Sequence, residues 1–295
     1  MEIGKIGKLG VWTHLDHLAA PQAAEFANQL EAWGYRALWM PEAVGRDPFA
    51  MIGYLAARTD TLVLATGIAN IYARDPMTMR ATREALAELS NGRLLLGLGV
   101  SHAHLVTGIR KHEYKQPLST MRSYLAAMDA AVYMGAKPAK PAPIVLAALR
   151  PKMLGLARDA TRGAHPYFVP PEHTQRAREI LGKGPWLCPE QMVLLETDAT
   201  KARAVARQHM QIYIGLPNYR NNLLWLGFEE SDFENGGSNR LVDAIVAWGD
   251  EKVIADRIQA HHDAGADHVC IQAFRPDGAQ GFDARVLETF APSRQ

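Results

Sequence analysis

Short apolar runs alternate with amphipathic helical patterns along most of this chain. The runs are rich in Leu, Val, Ile and Ala, a composition typical of strands that are buried on both faces of a parallel sheet. Between them, apolar residues recur at helical spacing; Phe26, Leu30 and Trp33 share one face before Gly34 ends the pattern. The pattern predicts eight strands, at residues 9–12, 37–40, 62–66, 94–98, 144–147, 164–169, 192–196 and 268–273.

Residues 62–99 contain the clearest repeating unit. An apolar run ends abruptly at Gly67, and Asp75 then stands before a proline, the usual order of an N-cap and a first helical residue. The following helical pattern stops at a Ser-Asn-Gly sequence, and a second apolar run is closed by Gly97 and Gly99. This stretch predicts a strand, a loop, a helix and a strand, in other words one βαβ crossover.

The repetition of this unit predicts an α/β fold, a (β/α)8 TIM barrel that forms one domain over residues 1–295. A doubly wound sheet is the alternative, but no GxGxxG motif follows the first strand. Residues 216–250 break the alternation with NYRNNLL, EESDFE and two glycines. We therefore expect an inserted helical segment there, before the last strand.

Composition and charge narrow the possible partners. The chain has 32 basic and 31 acidic residues and a net charge of +1, which disfavours nucleic acid because its binding usually needs a clustered basic face. Cys188 and Cys270 match neither a disulfide framework nor a zinc motif, and free core thiols are expected. The N-terminus lacks an apolar signal segment, and no stretch of about 18 apolar residues occurs. We expect a cytoplasmic protein with no membrane contact.

In a barrel the functional site lies at the carboxyl ends of the strands. This rule selects the residues that follow each of the first six predicted strands, namely Trp12 and His14, Trp39 and Glu42, Gly67 to Tyr72, Gly99 to His104, Ala148 to Arg150, and Val169 to His173.

The aromatic members of this set, Trp12, Trp39 and Tyr72, adjoin strands that end in glycine. Such a combination suits a large flat ligand that lies against the backbone. Packing in the barrel core is the alternative interpretation for either tryptophan.

Glu42, His14, His102 and His104 are candidate proton carriers on neighbouring loops. A solvated loop position is the alternative for each histidine taken alone. His102-Ala103-His104 also has the spacing of a metal-binding pair. We expect no metal site, because the other predicted strand ends supply no convincing further ligands.

Taken together, these segments resemble the bacterial luciferase-like monooxygenase superfamily. Within it they are most similar to oxidoreductases that use the deazaflavin coenzyme F420. The motifs that carry the resemblance are LGVWTH, ALWMPEA, ATGIANIYARDP, LSNGRLLLGLGVSH, LAALRPKMLGLA and GADHVCIQ.

The resemblance implies a non-prolyl cis peptide at Gly67-Ile68, which supports the back of the cofactor ring. It implies that Glu42 faces the reactive ring and that His102 stands where the family often has a proton-handling Glu; we expect His14 to assist it. It implies phosphate contacts around Ala148, Leu149, Arg150, Val169, Pro170 and His173. From the strand-end rule we also expect cofactor contacts from Gly67, Ile68, Ala69, Asn70, Gly97, Gly99 and Ser101, and substrate contacts from Trp12, Trp39, Tyr72 and His104.

Three functions follow from this reasoning. The first is hydride transfer between coenzyme F420 and a small organic substrate, an alcohol or carbonyl compound or an activated double bond. The second is an FMN-dependent two-component monooxygenase, and the third is a barrel that binds a flavin without catalysis. The family also implies a homodimer.

Overall fold

The computed structural model of the chain describes residues 6–294. Residues 1–5, the start of the N-terminal segment without an apolar signal, and Gln295 lie outside it. The strands of the described part, β1 to β11 in chain order, are Leu9–Trp12, Ala37–Met40, Val63–Thr66, Ala69–Asn70, Leu94–Gly99, Ile144–Leu146, Gly163–Ala164, Trp186–Leu187, Glu190–Leu195, Val246–Gly249 and Val269–Ala273.

Helices follow most of the strands. The α-helices, α1 to α11 in chain order, are Ala20–Ala32, Pro48–Ala56, Pro76–Leu89, Pro117–Ala130, Pro151–Ala160, Pro171–Leu181, Ala199–Ile214, Pro217–Leu226, Asn239–Ile245, Glu251–Asp263 and Ala284–Thr289. A π-helix covers His104–Ile109, and 3-10 segments cover Glu230–Gly236 and Pro292–Arg294.

All ladders of the sheet are parallel, and the strand order is β10-β9-β11-β1-β2-β3-β5-β6-β7-β8, with β4 paired to β5. The Cys188 N–H donates to Ala164 O at 2.9 Å, and the Cys270 N–H donates to Pro189 O at 3.0 Å. The nearly continuous run of β8 and β9 therefore contacts β7 on one side and β11 on the other. The sheet curls into a barrel-like α/β fold, as the sequence predicted, and its strands end on one side.

Alternation along the strands separates two apolar cores. Successive strand residues point to opposite faces of a sheet. In β2, Leu38 packs with the outer helices, whereas Ala37 and Trp39 pack inside the curled sheet. Cys188 and Cys270 are buried and unpaired, which confirms the prediction of free core thiols.

The helix starts follow from local chemistry. The side chain of Asp75 accepts hydrogen bonds from the N–H groups of Met77 and Thr78, at 2.9 and 3.0 Å, and so caps α3 as predicted. Asp198 caps α7 in the same way. Such caps satisfy N–H groups that the first turn of a helix leaves free.

Several predicted boundaries are wrong. The sixth strand, expected at 164–169, is only Gly163–Ala164, because Pro166 lacks an N–H and Phe168 adopts a left-handed φ of 61°. Strand β8 was not predicted at all. Residues 246–249, placed within the expected insertion, form β10 and pair with β9; the residues before them contain α8, a 3-10 segment and α9.

Helix α4 also differs from what the sequence pattern predicts, namely a helix capped by Ser119 and closed by Gly135, with Leu125, Met128 and Val132 along one side. It begins at Pro117 rather than after Ser119, since proline is well suited to the first helical position. It ends at Ala130 rather than at Gly135, because Ala131 has a ψ of 143°. Val132 therefore lies beyond the helix and is 67% exposed instead of lining the core.

Within residues 6–294, no helix has both the length and the apolar composition needed to cross a membrane.

Candidate active site

A cavity of about 610 Å³ lies at the carboxyl ends of β5, β6 and β7, and we call it the main cavity. Residues from the loops after these strands and from α8 line it. The predicted site residues on its wall are Ile68, Ser101, His102, Ala148, Leu149 and Arg150.

The loop after β3 brings Ile68 to the wall of the main cavity. The Gly67-Ile68 peptide bond is cis, as the resemblance implied. Trp12 Nε1 donates to Gly67 O at 2.8 Å, and the Glu42 N–H donates to Ile68 O at 3.1 Å. The ends of β1 and β2 thus fix this bulge from behind.

The carboxylate of Glu42 binds the same loop. One oxygen accepts the Asn70 N–H at 2.8 Å, and the other pairs with Arg74 Nη1 at 2.7 Å. Arg74 also pairs with Asp47. The Glu42 side chain is only 7% exposed and does not line the main cavity. The structure therefore gives Glu42 a supporting position, and the proton-transfer role implied for it stays a prediction.

His102 lines the main cavity. Its Nδ1 lies 3.1 Å from Asn218 Oδ1. An amide oxygen only accepts, which assigns the proton to Nδ1 and a free lone pair to Nε2. Burial lowers the pKa of His102, against the opposing effect of the Asn218 hydrogen bond. At neutral pH the imidazole is therefore uncharged and able to accept a proton.

His14 lies on a different cavity, of about 510 Å³, which we call the side cavity. Burial lowers the pKa of His14, whereas the charge of Asp16 raises it. The Trp12 ring lies between the two cavities, 5.2 Å from the His14 ring and 4.9 Å from that of Tyr167 on the main cavity. The structure thus separates His14 from His102, although the sequence grouped them.

His104 lies on a third cavity, of about 520 Å³, which His102 also borders. The two imidazole centroids are 6.4 Å apart and stacked. Among the residues that the structure describes, no group of three or more His, Cys, Asp or Glu side chains is arranged to hold a metal ion.

The predicted aromatic contacts lie mostly beneath the surface. Trp39 has no exposed surface; its ring stacks on His165 at 4.4 Å and its Nε1 donates to His268 Nε2 at 3.1 Å. Trp12 is 3% exposed. Core packing, the alternative interpretation, describes both tryptophans. Tyr72 does not line the main cavity. Its ring centroid lies 5.7 Å from that of Tyr114, and Tyr114 does line the cavity.

The beginning of α5 forms a basic end of the main cavity. Arg150, Pro151 and Lys152 all line it. In the first turn Pro151 has no N–H and the Met153 N–H donates to Arg150 O at 3.0 Å, so the Lys152 N–H, the helix dipole and the two cationic side chains are what favour an anion there. His173 supports the turn, because its Nε2–H donates to Leu149 O at 2.6 Å.

The phosphate-binding residues predicted after the sixth strand lie outside the main cavity. Val169 and Pro170 are buried and do not line the main cavity. Gly67, Ala69, Asn70, Gly97 and Gly99 are likewise buried beside or behind the bulge. Gly99 leaves room for Ile68, since a Cβ on it would lie 2.5 Å from Ile68 Cδ1.

Sequence reasoning missed three kinds of lining residue. His165 and Tyr167 follow the short β7, and the prediction of a longer strand assigned both to its interior. Asn218 and Tyr219 come from α8, inside the segment interpreted as an insertion. Lys152 follows directly after the predicted loop at Arg150. Recognising Pro166 as a strand terminator is the signal that would have found His165.

The luciferase-like monooxygenase family model matches residues 6–268. The chain belongs to this family. Luciferase-like relatives include the 5,10-methylenetetrahydromethanopterin reductase of Methanolobus tindarius, 30% identical over 157 residues, which are 48% of each chain; the match thus spans about half of that reductase. A putative coenzyme F420-dependent oxidoreductase of Mycobacterium tuberculosis is 26% identical over 279 residues, with 79% of this chain and 76% of that protein covered.

Solved structures of other proteins share the fold. The coenzyme F420-dependent tetrahydromethanopterin reductase of Methanopyrus kandleri superimposes with a TM-score of 0.71 at 16% identity, with 97% of both chains covered. A type II Baeyer-Villiger monooxygenase from Pseudomonas putida, in complex with FMN, gives a TM-score of 0.66 at 14% identity, with coverage of 97% and 96%.

Proposed function

We propose that this luciferase-like chain is an oxidoreductase that transfers a hydride between coenzyme F420 and a small organic substrate, an alcohol or carbonyl compound or an activated double bond. One observation carries the proposal: a single cavity joins the Ile68 bulge to the basic start of α5. Such a cavity suits a ligand with a flat ring and an anionic tail. The name of the Mycobacterium tuberculosis relative, a putative coenzyme F420-dependent oxidoreductase, favours F420 over FMN.

The residues present fit such a cofactor. His165 Nε2 is a buried polar atom on the cavity wall without a hydrogen-bond partner in the described residues. Ile68 would support the ring, and the side chains of Arg150 and Lys152 with the Lys152 N–H would hold an anionic group. When bound, the deazaflavin supplies a carbon that accepts or donates hydride. His102 would take the proton of an alcohol through Nε2, or return it to a carbonyl oxygen.

The finer description of the fold belongs to the same proposal. We interpret the curled sheet as an eight-stranded (β/α)8 barrel in which β3 with β4, and β8 with β9, are each one interrupted strand. In this interpretation β10 is an addition, and α8 closes one side of the site with Asn218 and Tyr219. A homodimer remains part of the proposal on the resemblance alone.

Anaerobic fluorescence titration of the purified chain with F420 and with FMN, each oxidised and reduced, tests the cofactor. We expect micromolar or tighter binding of F420 and weaker binding of FMN. Tighter binding of reduced FMN, with substrate-coupled oxygen uptake, would replace the proposal by the monooxygenase. Failure to bind either cofactor would refute both functions.

A pair of charge variants tests the orientation of the ligand. We expect Arg150→Gln to weaken F420 binding roughly tenfold, because a charge-assisted hydrogen bond to the anionic tail is lost. Lys201→Gln is the matched control, since Lys201 is an exposed cation on α7 away from the main cavity. Equal affinities of the two variants would remove Arg150 from the proposed site.

A further inference from the structure

His165 is a buried histidine in which only one of the two ring nitrogens has a hydrogen-bond partner among the described residues. It stands one residue beyond β7, is 1% exposed and lines the main cavity. Its Nδ1 lies 2.7 Å from Cys188 O. A carbonyl oxygen only accepts, which places the proton on Nδ1 and leaves Nε2 with a lone pair. Nε2 has no hydrogen-bond partner in residues 6–294.

The surroundings of His165 fix the direction of this lone pair. The ring stacks on Trp39 with an interplanar angle of 16° and a centroid distance of 4.4 Å. Nε2 also lies beside the bulge, since a Cβ built on Gly67 would be 3.2 Å from it. The neighbouring donor, Trp12 Nε1, is already committed to Gly67 O. The imidazole is therefore held rigidly, with an acceptor beside the Gly67-Ile68 bulge.

A buried acceptor without a donor is unfavourable, and a ligand that supplies the donor recovers the lost interaction. Deazaflavins and flavins both carry an imide N–H on the pyrimidine part of their flat ring. We propose that His165 Nε2 accepts a hydrogen bond from this N–H and so fixes the in-plane orientation of the ring above Ile68. The inference rests on the proposed function, because it requires a cofactor of this class in the main cavity.

Two substitutions separate the two ring nitrogens. Asn in place of His165 keeps an N–H near the position of Nδ1, for Cys188 O, but has no atom at Nε2. Gln places an amide oxygen near the position of Nε2. His261→Asn is the matched control, because His261 is equally buried but contacts Thr174 and Gln191 outside the main cavity.

The measurement is the dissociation constant of the cofactor that the wild-type chain binds, together with its absorption maximum in the bound state. We expect His165→Asn to weaken binding about 5- to 100-fold and to shift the maximum. His165→Gln and His261→Asn should stay within about threefold of the wild type. Wild-type affinity in His165→Asn, or equal weakening in all three variants, would overturn the inference.

A second measurement uses only the wild-type chain and does not depend on the folding of any variant. A cofactor methylated at the imide nitrogen lacks the donor, and we expect it to bind at least about fivefold more weakly than the parent compound. Equal binding would overturn the role of His165 while leaving the proposed function intact. Absence of wild-type binding to F420 and to FMN would instead refute the proposed function itself.

Discussion

At the scale of single residues, we propose that His102 moves the proton of the substrate. Its Nε2 is free, and burial keeps the imidazole neutral at pH 7. We expect His102→Gln to lower kcat for alcohol oxidation by about 10² to 10⁴, with little change in cofactor affinity. His112→Gln, at an exposed position that lines none of the three cavities, should behave like the wild type.

The pH dependence of the proposed alcohol oxidation follows from the protonation of His102. The pKa of His102 lies below its ordinary value of 6.5, and only the neutral form accepts a proton. The rate of alcohol oxidation should therefore be level above about pH 6.5 and fall on the acid side. A pH–rate profile of the wild type and of His102→Gln checks this, and an identical acid limb in both would remove His102 from the mechanism.

We expect substitution of Glu42 to affect the stability of the chain as well as its activity. Its ion pair with Arg74 is largely buried, and Gln would replace this charge-assisted contact by a weaker one, although Arg74 keeps its pair with Asp47. We expect Glu42→Gln to lower the free energy of unfolding by about 2 kcal/mol, and to weaken turnover and cofactor affinity together, because the bulge loses part of its support. Urea unfolding measures the first effect. Lys252→Gln, which breaks the exposed pair with Asp256, is the control.

The opposite pattern would favour the role that the resemblance implies. If Glu42→Gln lowered turnover alone, with stability and affinity unchanged, Glu42 would act directly on the transferred proton.

At the scale of elements, the packing of β3 against β5 depends on a residue without a side chain. A Cβ on Gly97 would lie 2.0 Å from Thr66 O, a backbone atom of the adjacent strand. Thr66 Oγ1 also donates to Gly97 O at 2.7 Å. We expect Gly97→Ala to lower the free energy of unfolding by about 3 kcal/mol or more, because neither strand can move away.

A glycine in a helix provides the matched control. Gly155 lies in α5, and a Cβ on it would meet nothing within 4 Å. Gly155→Ala should stabilise the chain by about 0.5 to 1 kcal/mol through helix propensity. Urea unfolding of both variants measures the difference, and similar effects in the two would contradict the close-approach argument.

Elements were predictable where their signals are local. Strand β2 has the predicted limits, and Asp75 caps α3, because burial pattern and capping act within a few residues. The short β7 and the strand β10 depend instead on which distant strands supply their hydrogen bonds. Tertiary pairing of this kind leaves little trace in the periodicity of a single sequence.

At the scale of the whole molecule, the sequence predicts the position of the site in the fold but not which residues share one cavity. The rule of carboxyl strand ends led to Ile68, His102 and Arg150 because it depends on topology alone. Which of those residues share a cavity depends on the side chains between them. Trp12 separates His14 from His102, and no pattern along the chain encodes that separation.

Buried histidines govern the acid stability of the whole molecule. Burial lowers the pKa of His165 and His173 to about 4 and that of His261 and His268 to about 3. Their ordinary value is 6.5, and between these limits the unfolded chain binds more protons. Stability is therefore lost as the pH falls below about 6.5. Glu190 has the opposite effect: burial raises its pKa to about 8, so the folded chain holds a proton there that the unfolded chain lacks, and the cost of taking up this proton falls with the pH.

These shifts predict a marked loss of stability between pH 7 and pH 5. Each of the four histidines costs about 2 kcal/mol at pH 5, and the smaller cost of keeping Glu190 protonated returns about 2 kcal/mol, for a net loss of roughly 6 kcal/mol. Urea unfolding at the two pH values measures it. His261→Gln should reduce the pH-dependent loss by about 2 kcal/mol, whereas His112→Gln, an exposed position, should leave it unchanged. An equal loss in wild type and His261→Gln would show that the buried imidazole does not titrate on unfolding.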